Sequence, residues 1–219
     1  MVNSRISVNQ WFIVLLAGLT MLPACTNNHS RKNSPEQEPA IQQGDIIFQV
    51  SKSSQSRAIQ LATHSKYTHM GIIYEQDEQF LVYEAVQPVQ LTPLQDWIAR
   101  GVNQHYVIKR INHADQVLTA PVLNRMKKVG EQFLGKPYDD YFEWSDDRIY
   151  CSELVWKIYQ RGANIEIGQP EPLSAFDLTH RTVQAKMKAR YGDNIPMDEQ
   201  VISPAAMFNA EQLITIKAE

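Results

Sequence analysis

The feature that most constrains the fold is a pair of strand-like segments separated by only five residues. THMGIIY (68–74) and FLVYEAV (80–86) are rich in β-branched and aromatic residues, and the intervening EQDEQ is polar. Because parallel strands need a crossover of a dozen or more residues, these two segments predict an antiparallel hairpin. A turn centred on Gln76 and Asp77 places Glu84 directly opposite His69.

The other predicted elements occur in blocks and do not alternate strand, helix, strand. Further strands are predicted at GDIIFQV (44–50), HYVIKRI (105–111) and QLITI (212–216). Apolar spacing, Ser-Pro starts and N-cap signals predict helices within 54–65, 92–101, 120–134, 150–162, 177–192 and 203–208. In the second of these, Thr92 is the expected N-cap and Pro93 the first helical residue. This arrangement predicts an α+β domain in which an antiparallel sheet packs with helices.

Residues 1–24 predict a bacterial lipoprotein signal peptide. The uncharged run WFIVLLAGLTML (11–22) is shorter than the roughly 20 apolar residues that cross a bilayer. Leu22, Ala24 and Cys25 resemble a lipobox whose cysteine receives the lipid, although Pro23 replaces the usual small or aliphatic residue. The alternative is an ordinary cleaved signal peptide in which Cys25 has no role.

Residues 25–40 then predict a flexible tether, and residues 41–219 a single folded domain. The tether is polar and contains two prolines. With Thr26 rather than aspartate after a lipidated Cys25, Gram-negative sorting rules imply the outer membrane, on its periplasmic side. A net charge of -3, without clustered lysine and arginine, argues against a nucleic-acid partner.

Cys151 begins the apolar face of a predicted helix, because Leu154, Val155, Ile158 and Tyr159 follow it at helical spacing. One interpretation is a buried structural cysteine, since free cysteines are among the most buried residues. The other is a nucleophile, because a helix N-terminus stabilises a thiolate and its N–H groups bind an oxyanion. If Cys25 is lipidated, it is not available as a disulfide partner.

His69 is the preferred candidate for a base that activates this thiol, because it lies inside a predicted strand among small and apolar neighbours. His105 begins another strand and is a second candidate. The other histidines lie in the tether, at a helix end, at a polar turn and in a basic helix: His29, His64, His113 and His180.

Glu84 is the candidate acid, because it interrupts an apolar run where a charged side chain needs a partner. A carboxylate bonded to His69 would fix the imidazole tautomer, as acyl transfer requires. The alternatives are a cross-strand contact without a catalytic duty and a zinc site. Zinc is disfavoured because no short-spaced ligand pair is present, so we expect no metal and no cofactor.

Several stretches together resemble the YiiX-like family of bacterial proteins, in the papain-like superfamily of the NlpC type. The resemblance runs in order from about Gln43 to near the C-terminus. It is carried by GDIIFQVSKSSQSRAIQLATHSKYTHMGIIY, VYEAV, LTPLQDWIARG, LGKPYDDYFEWSDDRIYCSELVWKIYQ and NIPMDEQVISPAAMF. It implies a circularly permuted papain-like α+β domain in which the histidine strand precedes the cysteine helix.

The same resemblance implies a role for each of three residues. Cys151 of YCSE matches the nucleophile, His69 of YTHMG the base and Glu84 of VYEA the orienting acid. It further implies a cysteine hydrolase that acts through an acyl-thioester on envelope substrates, either lipid acyl groups or wall-peptide amides. The alternatives are an acyltransferase that uses the same thioester, and a lipoprotein that binds such a ligand without turnover.

Overall fold

The computed structural model describes residues 39–219, so the predicted signal peptide, Cys25 and almost all of the predicted tether lie outside the described residues. Its main sheet has six strands in the order β4-β3-β2-β1-β5-β8, and every neighbouring pair is antiparallel. The strands are β1 (Ile46–Gln49), β2 (His69–Gln76), β3 (Gln79–Glu84), β4 (Gln90–Pro93), β5 (Tyr106–Ile111), β6 (Glu171–Pro172), β7 (Gln200–Val201) and β8 (Leu213–Ala218). The short strands β6 and β7 pair separately.

Helices pack on both faces of this sheet. They are α1 (Ser56–Thr63), α2 (Leu94–Arg100), α3 (Ala114–Val117), α4 (Ala120–Glu131), α5 (Cys151–Ala163), α6 (Arg181–Tyr191) and α7 (Pro204–Phe208). Across residues 39–219, no helix is long and apolar enough to cross a bilayer.

The central helix α5 buries the face that the sequence predicts. Leu154, Val155, Ile158 and Tyr159 are fully buried in the larger of two apolar clusters, together with β2 residues such as Ile72. Burying side chains of this size contributes about 1.5–3 kcal/mol each, so the face anchors the helix firmly.

Helix α2 lies over the opposite face of the sheet. Trp97 and Ile98 form a smaller cluster with Ile73 and Val82, whose side chains alternate with those that contact α5. The sheet therefore separates α2 from α5, and a residue that contacts both helices must lie where a strand begins or ends.

The β2–β3 hairpin has the predicted antiparallel pairing but a different register. Its turn is Asp77-Glu78, both with positive φ, and Gln76 pairs with Gln79. Continued from Ile72 opposite Tyr83, this register places Glu84 opposite Gly71 and not opposite His69 as predicted. The error is two residues, which preserves the face of each side chain because strand residues alternate with a period of two.

The N-cap assignment at Thr92 is also wrong. Helix α2 begins at Leu94, its N-cap residue is Pro93, and no side chain caps it. Thr92 belongs to strand β4, where its buried hydroxyl contacts Glu84. Strand pairing with β3 takes priority over the local helix-start signal, because it satisfies backbone groups that would otherwise be unpaired in the interior.

Candidate active site

Cys151 is the first residue of α5, with Tyr150 as the N-cap residue. It carries a free thiol and is 3% exposed. The first N–H groups of a helix have no helical acceptor, so this position combines a sulfur atom with nearby donors. Ser152 donates its hydroxyl to the Ile202 carbonyl at 2.8 Å, which ties the start of the helix to the chain before α7.

His69 connects the two sides of the sheet. It is the first residue of β2, its ring stacks on Trp97 of α2 at 5.8 Å between centroids, and its Nε2 atom lies 2.8 Å from Glu84 Oε2. Cys151, at the start of α5, lies near enough to the same imidazole to raise its pKa. The structure therefore brings the three sequence-predicted residues into one chain of contacts.

The pKa of His69 is raised to about 9. Burial alone would lower it by disfavouring the cation, but hydrogen bonds with Cys151 and Glu84, and the negative charges of both, outweigh that effect. The imidazolium form thus persists through neutral pH beside the sulfur atom. An imidazolium next to a cysteine sulfur is suited to act as a proton donor in acyl transfer.

Glu84 is fully buried and accepts hydrogen bonds from three side chains. Besides His69, these are Thr92, whose Oγ1 is 2.5 Å from Oε1, and Arg100 of α2. Burial would raise the pKa of Glu84, but the contacts with His69, Thr92 and Arg100 lower it to about 2. Glu84 is therefore a carboxylate at any pH at which the protein is expected to work.

Sequence reasoning missed Thr92 and Arg100 as parts of this site. Both lie in TPLQDWIARG, which was interpreted only as a helix with its cap. The signal that would have found them is the buried charge itself, since a carboxylate at Glu84 needs more than one donor to be stable in the interior.

Cys151 lines a slot with about 80 Å³ of free space. Its walls are mostly apolar and come from α1, α6, the start of α5 and the loops that precede α6 and α7. The apolar wall residues include Ala58, Ile59, Phe142, Leu173, Phe176, Leu178, Val183, Met187, Val201 and Ile202. Among the described residues that line it, none is Asp or Glu.

Tyr138 lines the slot beside Cys151, and Gln55 stands next to it. The Gln55 amide nitrogen donates to the Tyr138 hydroxyl at 3.2 Å, and the Gln55 amide oxygen accepts from Arg190 at 3.0 Å. Burial raises the pKa of Tyr138 well above its usual value, and the nearby charge of Cys151 adds to the effect. Tyr138 therefore stays a neutral hydroxyl beside the sulfur.

Aromatic side chains close in sequence to Cys151 and His69 lie in different parts of the structure. Tyr138 and Tyr150 line the slot. Tyr67 instead stacks on Phe208, and Trp156 packs on Trp144 in a separate surface groove.

The remaining histidines of the described region lie elsewhere. His105, the second candidate base, stacks on Tyr67. His64 contacts Asp177 at 3.1 Å, His113 precedes α3, and His180 caps α6 through Nδ1. His29 lies outside the described residues.

Glu153 does not have the exposed first-turn role that its position suggests. It is fully buried, and its Oε1 atom lies 2.7 Å from Lys157 Nζ. Burial raises its pKa to about 8 against the opposing effect of Lys157. Glu153 is therefore a structural group behind the nucleophile.

The donor set at Cys151 does not fit a metal ion. Across residues 39–219 there is no group of three or more His, Cys, Asp and Glu side chains arranged to hold one. Both Glu84 oxygens already accept hydrogen bonds, and one of them faces His69 Nε2.

Comparisons with known proteins identify the family of this chain. Residues 40–217 match the family described as permuted papain-like amidase enzyme, YaeF/YiiX, C92 family. The chain is 49% identical over 178 residues to the uncharacterized protein YiiX of Escherichia coli strain K12, covering 81% of this chain and 87% of that protein.

A crystal structure described as metalloprotein YiiX from Escherichia coli O157:H7 superimposes with a TM-score of 0.78. That match has 49% identity and covers 83% of this chain and 98% of the other. The fold class and the resemblance predicted from sequence are confirmed. The chain belongs to the permuted papain-like amidase family, YaeF/YiiX, C92, whose activity class at the coarse level is that of a cysteine hydrolase.

Proposed function

We propose that this protein hydrolyses an amide or ester bond of a lipid acyl group, with Cys151 as nucleophile, His69 as proton carrier and Glu84 as the residue that orients His69. The observation that carries the choice of an acyl chain is the apolar slot that Cys151 lines. Mostly apolar pockets with a few placed polar groups suit ligands whose bound part is a hydrocarbon.

In the first half of the reaction, the Cys151 thiolate attacks the carbonyl carbon and forms a C–S bond. The carbonyl oxygen becomes an oxyanion, for which the free N–H groups at the start of α5 are the natural donors. The intermediate then collapses as the C–N or C–O bond breaks, and His69 gives its proton to the departing nitrogen or oxygen.

In the second half, water attacks the thioester while His69 accepts one of its protons. A C–O bond forms, the C–S bond breaks, and a fatty acid and the Cys151 thiolate are released. Glu84 stays ionised throughout and stabilises the imidazolium. An acyltransferase would follow the same path with another nucleophile in place of water.

The lining of the slot favours an acyl chain over a wall peptide. A peptide needs polar partners along its backbone, whereas the slot walls are mainly aliphatic and aromatic.

We also propose that the chain is a lipoprotein of the outer membrane, anchored through Cys25 on the periplasmic side. The support is the lipobox-like LPAC and the polar tether after it. An anchor of this kind would keep the slot close to lipid substrates.

The description of one relative as a metalloprotein raises the question of a metal in this chain. The donors here do not fit one, so the proposed steps use only the side chains and water.

The test compares full-length wild type with Cys151→Ala on p-nitrophenyl decanoate, decanoyl anilide and purified muropeptides, with products identified by mass spectrometry. We expect wild type, and not Cys151→Ala, to release decanoic acid. Equal product from both proteins would overturn the proposal. Cleavage of muropeptides alone would replace it with a wall peptidase. Decanoate binding without turnover would favour a carrier, and decanoyl transfer to an added amine in preference to water would favour an acyltransferase.

A further inference from the structure

The slot that holds Cys151 has two cationic side chains in its wall. Lys186 and Arg190 are four residues apart on α6, so they project from the same side of that helix. No described acidic residue shares the lining with them. The slot is therefore apolar along its length and positive on one side.

Neither cation has a carboxylate partner among residues 39–219. Lys186 Nζ lies 3.3 Å from the Ser54 hydroxyl, and Arg190 donates to the Gln55 amide oxygen at 3.0 Å and lies over the Phe142 ring at 4.5 Å. All of these contacts are with neutral groups. Each charge is thus positioned without being neutralised.

Some cations of the same domain have acidic partners. Arg110 pairs with Asp45 and Arg161 with Asp146, at 2.6 and 2.7 Å. Lys188 of α6 itself pairs with Asp193. Lys186 and Arg190 have no such partner among residues 39–219, and a half-buried cation without a counter-charge gains most from a ligand that supplies one.

Arg190 is linked through side chains to the part of the wall beside Cys151. A chain of side chains runs from Arg190 to Gln55 and then to Tyr138, which lines the slot beside Cys151. A ligand group held by Arg190 would therefore lie near the bond that Cys151 attacks and not at the far end of an acyl chain.

We propose that the substrate carries an anionic group, a carboxylate or a phosphate, on the part that leaves the acyl chain, and that Lys186 and Arg190 bind it. This inference rests on the proposed function, since it names the substrate class of the same site. Bidentate hydrogen bonds from the Arg190 guanidinium suit both anions, and Lys186 adds a second positive charge. A substrate with a neutral or cationic leaving part lacks this interaction.

Binding can be measured apart from turnover with the full-length Cys151→Ala protein. Isothermal titration calorimetry at low salt would compare decanoate, decyl phosphate and decanamide, which share one chain length. We expect each anion to bind about tenfold more tightly than the amide, which corresponds to about 1.4 kcal/mol. The ratio between decanoate and decyl phosphate then identifies which anion the site prefers.

In that background, Lys186→Gln and Arg190→Gln should each reduce the preference for anions, and the double variant should abolish it. Lys188→Gln is the matched control, because Lys188 is on the same helix but pairs with Asp193, and it should leave the preference unchanged. Since Lys186 makes one hydrogen bond within residues 39–219, to the Ser54 hydroxyl, Lys186→Gln is decisive if Arg190→Gln proves unstable.

Equal affinity for the amide and both anions, an undiminished preference in Lys186→Gln, or no binding of any of the three would overturn the inference. Turnover by the wild-type protein distinguishes failure of the anion-site inference from failure of the proposed hydrolase function. If the protein prefers anions but forms no Cys151-dependent product, the proposed hydrolase activity is wrong and the anion-binding site still stands. If product forms but anions are not preferred, the hydrolase activity stands and the anion-binding site is wrong.

Discussion

His69 Nε2 lies 2.8 Å from Glu84 Oε2 although the two residues are not cross-strand partners. Glu84 faces Gly71, two residues along β2 from His69. The contact is therefore a diagonal one across the hairpin.

Gly71→Ala should destabilise the protein by about 1–3 kcal/mol, the usual cost of overpacking. An added Cβ would lie 2.4 Å from Val82 Cγ1 and 2.5 Å from the Tyr83 carbonyl oxygen, and the second of these is backbone that cannot rotate away. Urea unfolding measures the loss. Gly130→Ala is the control, because its Cβ would contact only side-chain atoms at 3.2 Å or more and the change improves helix propensity. Equal stability of the two variants would contradict the argument.

Cys151 should react with iodoacetamide at neutral pH faster than a model thiol such as glutathione, because His69 beside it stays protonated. His69→Ala should slow the labelling about tenfold or more by removing that charge. Mass spectrometry of the labelled peptide gives the rate, and Cys151→Ala corrects for labelling of Cys25. Unchanged labelling in His69→Ala would show that the imidazole does not activate the thiol.

The Thr92 hydroxyl should be required for the carboxylate of Glu84 to remain stable in the interior. Thr92→Val keeps the shape but removes the donor to Oε1, so we expect a loss of about 1–3 kcal/mol in the free energy of unfolding. Thr92→Ser keeps the hydroxyl, so it should retain most of the free energy of unfolding that Thr92→Val loses. If Val and Ser variants are equally stable, the hydrogen bond contributes nothing measurable.

Stability should fall as pH rises through neutrality, in part because of Glu153. Its pKa is about 8 in the folded protein against an ordinary 4.5, so folding favours the protonated form. The contribution is fully present below pH 4.5 and is lost as pH approaches and passes 8. His69 acts in the same direction between about 6.5 and 9.

The difference between wild type and Glu153→Gln isolates the Glu153 contribution. Thermal unfolding at pH 5, 7 and 9 should show the variant gaining stability relative to wild type at each step. Glu143→Gln, at an exposed position, should follow wild type. A pH-independent difference for Glu153→Gln would mean that Glu153 does not titrate in this range.

A bulky residue in the slot should exclude long acyl chains and spare short ones. Ala58 is a buried wall residue of α1, so Ala58→Phe fills space that the proposed chain occupies. We expect kcat/KM for p-nitrophenyl decanoate to fall about tenfold or more relative to p-nitrophenyl acetate, because each lost buried CH₂ group weakens binding by about 0.8 kcal/mol. Unaltered iodoacetamide labelling would show that the thiol is intact, and a parallel loss on both esters would refute the assignment of the slot to the chain.

Sequence patterns alone predict the local features of this protein. The apolar spacing after Cys151 predicts the buried face of α5, because helical periodicity requires no knowledge of distant contacts. The short link between β2 and β3 predicts their antiparallel pairing, and the period of two keeps His69 and Glu84 on one face even though the predicted register is wrong by two residues.

The contacts between these elements are visible only in the tertiary structure. Cys151 and Glu84 belong to opposite sides of the sheet, and His69 joins them because β2 begins where α5 begins. Thr92 and Arg100 complete the shell of Glu84, and Lys186 and Arg190 give the slot its charge, through contacts between segments far apart in the chain. Local propensity carries no information about such contacts, because they depend on how the helices pack against the sheet and on the need of each buried charge for a partner.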